Sequence, residues 1–435
     1  MQTKELFKKI IVDFHEHKIE NVFERDIDIY LSEKGDVNNL NKIVSLIGVR
    51  RSGKTFALYS LINRLRVRID TRNITYINFE DDRLFPISLP DLNTFIEAYY
   101  ELYPDKKEET VYFFFDEIQN VEHWEKFIRR IYDSEKCRIF ITGSSSTLLS
   151  GEIASSLRGR TLTYEVFPLT FKEYLAAKNI KININSTKSV SLIKNAFSQY
   201  ILKGGFPEIL NADEELSNRI IEDYVNLIIY KDIFERYRLS NTFLLKFLIK
   251  YCFSNISSLF SINKIYNDFK SQGLAVSKNT IYEYIEYMEN AFALFTVPIY
   301  GTIKDRIRNP RKIYGVDIGI KKVMDGSFAL NIGKIYENIV YLKLRKASKD
   351  IYYFFKGKRE VDFYCKIGGK DILINVCYDI SGVNAQSREI EGLSEAMDFF
   401  GAAESFLITS ELEKQIDVND KKIYIVPLWK WLIVE

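Results

Sequence analysis

The stretch "KIVSLIGVRRSGKTFALYSLINRL", residues 42–65, places a short apolar run before a glycine-framed loop and follows it with apolar residues at helical spacing. The loop Gly48-Val49-Arg50-Arg51-Ser52-Gly53-Lys54-Thr55 has the form G-x-x-x-x-G-K-[ST], and strand before with helix after is the context that pattern requires. Gly48 and Gly53 permit the turn and a close backbone approach, so amide N–H groups converge on a phosphate at a helix N-terminus. Lys54 is expected to reach the β- and γ-phosphates of ATP, and Thr55 to set its hydroxyl on Mg²⁺. The expected nucleotide contact runs through Gly48, Val49, Arg50, Arg51, Ser52, Gly53, Lys54, Thr55 and Phe56.

A second element points the same way. "TVYFFFDEIQNVEHW", residues 110–124, is a buried-strand run ending in Asp116 and Glu117, the pattern of a central parallel strand delivering carboxylates at its C-terminal edge. Asp116 is expected to hold Mg²⁺ through water, and Glu117 to orient and deprotonate an attacking water. The next strand, "CRIFITGSSS", ends in Thr142, Ser144 and Ser145, of which Ser144 is the expected γ-phosphate contact; a helix cap is the alternative use of these serines. Arg158 and Arg160, in "SSLRGRTLTYEVFPLTFKEYL", are candidates for an arginine supplied to a neighbouring subunit. Strands expected at 43–47, 74–79, 111–115, 138–142 and 161–166 alternate with helices. That order predicts an α/β core with a parallel sheet and nucleotide at its carboxyl edge.

The chain has 435 residues, 46% apolar and 28% charged, with 20 Gly and 8 Pro, so it is an ordinary globular chain long enough for two or three domains. A net charge of +2 announces no polyanion partner, so a nucleic-acid surface would have to be a local patch. The four cysteines, Cys137, Cys252, Cys365 and Cys377, lack zinc-module spacing and fit a reducing compartment. His15 and His17 are expected on a solvated helix face. There is no apolar run of about 18 residues, and the start lacks the pattern of a signal peptide, so a cytoplasmic protein without a membrane partner is expected.

Together "GVRRSGKT", "FFFDEIQN", "FITGSSS", "LRGR", "VFPLTFKEYL", "GGFPE" and "YKDIFERY" resemble the AAA-type ATPases of archaea and bacteria whose C-terminal half is a domain of unknown function. The resemblance runs from about residue 20 to about residue 430. It implies an AAA-like P-loop core, a helical lid, a winged-helix segment and an α/β nuclease-like fold. The expected boundaries are an N-terminal helical segment at 1–40, the core at 41–185, the lid at 186–250, the winged helix at 251–318 and the nuclease-like domain at 319–435.

In the second half, "LFSINKIYNDFKSQGLAVSKNTIYEYIEYMENAFALFTVPIY" reads as helix, glycine turn, a helix capped by Ser277, then strand. Beyond it, "TIKDRIRNPRK" carries Lys304, Arg306, Arg308, Arg311 and Lys312, expected as a basic hairpin making weak DNA contact. An interdomain or protein-binding role for the helix pair is the alternative. In the restriction-endonuclease-like fold, Glu337 matches the helix acid and Asp362 the strand acid, but Asn375 and Cys377 stand where a carboxylate and a lysine are needed. Loss of an oxygen anion weakens a hard-cation site, so nuclease activity is not expected. The leading expectation is Mg²⁺-dependent ATP hydrolysis coupled to conformational change, with DNA association through the basic segment. The alternative is a slow nucleotide-dependent oligomerisation switch, or a scaffold that docks a protein partner.

Overall fold

In the computed structural model every residue of the strand Val111–Asp116 is buried, because the strand lies inside a parallel sheet covered on both faces. The structure describes residues 2–20, 22, 24–27, 29, 41–144, 157, 159–239, 241–325, 331–357, 359–380, 382–418 and 420–434. Arg158 and Ser145 lie outside the described residues. The chain divides into two units, residues 1–167 and 168–435.

In the first unit the strands are β1 (Ile43–Ile47), β2 (Ile74–Asn78), β3 (Val111–Asp116), β4 (Cys137–Gly143) and β5 (Thr161–Glu165). They form one sheet in the order β2-β3-β4-β1-β5, every pairing parallel. The phenylalanine run alternates between faces, as a strand must. Phe114 stacks on Phe140 at 4.4 Å and packs with Leu58, Leu61 and Leu65 of the helix Lys54–Arg66. Phe113 and Phe115 face the other way, toward Tyr99, Phe95 and Phe127 of the helices Leu89–Leu102 and Trp124–Ser134.

The first helix, Gln2–Glu16, docks through Phe7 on Phe95 and through Lys4 and Lys8 on Glu101. His15 departs from the expected solvated face. Its Nδ1 is 2.8 Å from the Tyr103 hydroxyl and its Nε2 is 2.8 Å from the Ile74 carbonyl, so the ring pins this helix to β2.

The second unit begins with helices Phe171–Ala177, Thr187–Lys203, Glu214–Leu227 and Thr242–Ser254. A helix pair follows, Ile262–Ser271 and Lys278–Asn290. It turns at Gly273 (φ +76°) and is capped by Ser277, whose Oγ accepts from the Thr280 N–H at 3.0 Å. Strands β6 (Leu259–Phe260), β7 (Leu294–Val297) and β8 (Arg311–Gly315) make a three-stranded antiparallel sheet with β8 in the centre. The basic segment is not the expected hairpin, because Ile303–Arg308 is a short helix. Its cause is a capping box: Thr302 Oγ1 accepts from the Asp305 N–H while Asp305 accepts from the Thr302 N–H at 3.0 Å.

The remaining sheet has six strands, β9 (Ile351–Lys356), β10 (Arg359–Ile367), β11 (Lys370–Val376), β12 (Glu404–Thr409), β13 (Lys414–Val418) and β14 (Lys421–Pro427), in the order β13-β14-β12-β11-β10-β9. Gly368 and Gly369, both with positive φ, make the two-residue turn between β10 and β11, as such turns demand. The helix Val383–Phe400 covers this sheet with Leu393, Ala396 and Met397 against Leu373, Leu407 and Ile423. The unit closes with β14 and the helix Leu428–Ile433, with Trp429 buried.

Candidate nucleotide site

The loop between β1 and the helix Lys54–Arg66 is shaped by its two outer glycines. Gly48 (φ +153°) lies so close to β5 that a Cβ there would stand 2.1 Å from the Val166 carbonyl oxygen. Gly53 adopts the left-handed conformation (φ 94°) at the N-cap, which leaves the first amides of the helix facing the loop's concavity. Lys54 is buried and folds back over the loop, donating to the carbonyls of Gly48 and Val49 at 3.2 Å each; its Nζ is also 3.6 Å from Glu117 Oε1. Ser52 Oγ is buried without a protein partner among the described residues, a free polar atom inside the cradle.

Asp116 is where the strands converge. Its Oδ2 accepts from Thr55 Oγ1 at 2.8 Å and from the Tyr76 hydroxyl at 2.8 Å, and its Oδ1 accepts from Thr142 Oγ1. Burial pushes the Asp116 carboxyl upward, and the hydroxyls of Thr142, Thr55 and Tyr76 oppose that shift. Glu117 takes a left-handed backbone (φ 52°), unusual for a non-glycine residue. Its N–H donates to Thr142 Oγ1 at 2.9 Å, and Gln119 Nε2 donates to its carboxylate. Thr142 thus bridges Asp116 and Glu117, a role the sequence reading passed over in favour of Ser144; the signal available was a lone polar residue ending a buried strand. Ser144 is buried at the same strand end.

Other expected contacts fall near the loop. Arg50 pairs with Glu80 at 3.0 Å, and Phe56 is 45% exposed. Arg160 is held by Asp133 at 2.9 Å and lies over the Tyr132 ring, so acting on a second subunit would require breaking that pair. Arg25 was missed, since no motif marks it. It is buried, and it donates Nη1 to the Ser52 carbonyl at 2.8 Å and Nη2 to the Phe167 carbonyl at 2.7 Å.

The cradle fits a nucleotide with Mg²⁺: backbone amides at a helix N-terminus, a buried lysine, an orphan hydroxyl, and hard oxygen donors on Thr55 and Asp116. A parallel sheet with this strand order, carrying such a loop after β1 and paired acids after β3, defines a P-loop nucleotide-binding protein.

The family profile described as an AAA domain matches residues 40–175, and a domain of unknown function (DUF8612) matches residues 194–331. The chain is 38% identical to an uncharacterized protein, MJ1544, of Methanocaldococcus jannaschii over 99% of this chain and 96% of that one. It is 30% identical to an uncharacterized protein of Haemophilus influenzae, over 92% and 97%. The chain therefore belongs to a family of AAA-type P-loop proteins with a C-terminal domain of unknown function. Among solved structures, the Aeropyrum pernix ORC1 protein in complex with DNA aligns over 66% of this chain and 87% of its own, at 15% identity and a TM-score of 0.31, a likeness too slight to place any residue.

In the second unit Glu337 and Asp362 come together, but around a lysine. Lys312, expected as a DNA contact, is instead buried between them, 3.0 Å from Glu337 Oε1 and 2.7 Å from Asp362 Oδ1. Its place on the central strand β8 turns it inward, so it cannot meet a phosphate backbone. Asn375 accepts from the Asp362 N–H at 3.0 Å and donates to Glu389 Oε2 at 2.8 Å, and Cys377 is half-buried. Of the other basic residues, Arg311 donates to Thr296 Oγ1, Arg306 lies over the Tyr352 ring at 4.4 Å, and Lys304 and Arg308 are exposed. No helix among the described residues is long and apolar enough to cross a membrane.

Proposed function

We propose that the protein binds ATP with Mg²⁺ and hydrolyses it. The observation that carries this reading is the single hydrogen-bonded cluster joining Thr55, Asp116, Thr142 and Glu117 at the mouth of the loop that Lys54 closes. Mg²⁺, when bound, neutralises charge on the β- and γ-phosphate oxygens, and Thr55 and Asp116 are the residues that would hold it. Glu117 takes the proton of a water that attacks the γ-phosphorus, the bond to the bridging oxygen breaks, and ADP leaves with the electron pair. Lys54 exchanges its loop carbonyls for phosphate oxygens and lies against the charge that develops on them. Ser144 contacts the γ-phosphate, and Arg158 or Arg160 acts on a neighbouring copy in a homo-oligomer.

The test is ATP binding and steady-state hydrolysis by wild type, Lys54→Ala and Glu117→Gln. Lys54→Ala should lose binding; Glu117→Gln should keep binding and lose turnover by 100-fold or more, on the order expected for a positioned base. Undiminished turnover in Glu117→Gln would remove that residue from its role.

What the ATPase serves has two readings. Arg306, Arg308 and Arg311, with Lys304, offer a weak DNA contact. One observation favours a protein partner, and with it the switch or scaffold: Ile303 and Ile307, one helical turn apart on the same short helix and each followed in sequence by a basic residue, are 77% and 72% exposed. Apolar contact rimmed by positive charge suits a protein face with acidic edges. Hydrolysis stimulated by duplex DNA in a salt-dependent way would decide for DNA. Indifference to DNA, with lost partner capture by Ile303→Ser/Ile307→Ser, would decide for protein.

A further inference from the structure

The cage around Lys312 is built from three directions. Glu337 comes from the helix Ile332–Ala347, Glu360 and Asp362 come from β10, and the ammonium comes from β8 of the smaller sheet. Lys312 Nζ stands 3.0 Å from Glu337 Oε1, 2.7 Å from Glu360 Oε1 and 2.7 Å from Asp362 Oδ1, one carboxylate for each of its three N–H donors. Outer contacts fix the acids: the Tyr314 hydroxyl donates to Glu337 Oε1 at 2.7 Å, and the Val376 N–H donates to Asp362 Oδ2 at 2.9 Å. The lysine side chain is 5% exposed, and its backbone is paired on both sides, with Leu259 on β6 and Val297 on β7.

We propose that Lys312 is a tethered stand-in for a divalent cation, and that Glu337, Glu360 and Asp362 are a latent metal site which its ammonium keeps closed. The carboxylates converge on one point that holds a cation, and the occupant is covalently attached to a strand that cannot retreat, so a free ion competes against a permanent resident. The spacing agrees. N–H···O contacts of 2.7–3.0 Å hold the oxygens slightly farther apart than a metal would, roughly 2.0–2.6 Å from its centre. The ion pairs with its three acids also hold the ammonium charged against the cost of burial. The nuclease-like sheet is therefore blocked from within, in addition to lacking an acid at Asn375 and a lysine at Cys377.

The experiment counts Mn²⁺ by calorimetry in wild type, Lys312→Ala and Lys312→Ala/Asp362→Asn. Lys312→Ala should take one equivalent more than wild type and gain thermal stability with Mn²⁺, and the double variant should lose both. Equal stoichiometry in wild type and a folded Lys312→Ala overturns the proposal. Should Lys312→Ala fold only with Mn²⁺, and not with sodium at matched ionic strength, the proposal stands. Should it fold under neither condition, wild type decides through NMR of its ¹⁵N-lysine ammonium, assigned by its loss in Lys312→Arg. A Lys312 signal unbroadened by Mn²⁺ supports the lock, and a broadened one overturns it.

Discussion

Arg25 is bound to the phosphate loop through the Ser52 carbonyl, with Nη1 to oxygen at 2.8 Å, and its second nitrogen ties the same side chain to Phe167 at the end of the sheet. A buried guanidinium spanning the loop and the strand behind it fixes the height of the Ser52 peptide. Each bond from a charged donor is worth about 1.5–3 kcal/mol. Arg25→Ala should therefore raise the KM for ATP about tenfold or more with a smaller change in kcat, and Arg25→Lys should recover part of it. Unchanged KM in a folded Arg25→Ala would show the contact to be structural only.

Tyr76 gives Asp116 a third hydroxyl donor and is itself reached by the Tyr59 hydroxyl at 3.3 Å. Tyr76→Phe removes one hydrogen bond of about 1 kcal/mol without changing the packed ring. The Mg²⁺ concentration for half-maximal hydrolysis should rise about fivefold, while the rate at saturating Mg²⁺ stays near wild type. A Mg²⁺ titration at fixed ATP reads this directly.

Gly48 has no room for a side chain, since a Cβ would meet the Val166 carbonyl at 2.1 Å. Gly48→Ala must push β5 and the loop apart, and with its positive φ the strain is on the order of 1–3 kcal/mol or more. Loss of nucleotide binding is expected, together with a lower thermal midpoint. Gly357→Ala, in a turn with positive φ but nothing within 4 Å, should cost little beyond backbone strain and leave binding intact.

Asp317 is a buried carboxyl pushed up to about 7 by its burial, against an ordinary value of 3.8, with the amides of Gly205, Gly319 and Ile320 opposing the shift. The folded state keeps this proton longer than the unfolded state, so stability falls as pH rises from about 4 to about 7 and is flat beyond. The contribution is at most about 4 kcal/mol, from about three pH units at 1.36 kcal/mol each. Asp317→Asn, which like the protonated acid keeps one carbonyl acceptor and does not titrate, should lose this slope. Chemical denaturation across that range measures the difference between the two curves.

The candidate nucleotide site was legible because the motif for phosphate recognition is local. Gly48 through Thr55 lie within one loop, and Asp116 and Glu117 end a run whose all-apolar composition already marks a covered parallel strand. The parallel sheet required only alternation of strand and helix. What escaped depends on distant residues. Arg25 and Tyr76 reach the site from segments without a motif. Lys312 reads in sequence as one of five basic residues within nine positions, and only its place in β8, between β6 and β7, shows that it is buried while Lys304 and Arg308 on the preceding helix are exposed. The helix at 303–308 was encoded in Thr302 and Asp305, whose capping box was obscured by the surrounding positive charge.

The Lys312 cage also binds these four positions in inheritance. Losing the lysine strands three carboxylates in a closed interior, and losing any one acid leaves the ammonium short of a partner, so single steps away from the arrangement are costly. Residues 312, 337, 360 and 362 should therefore change in concert or remain as they are.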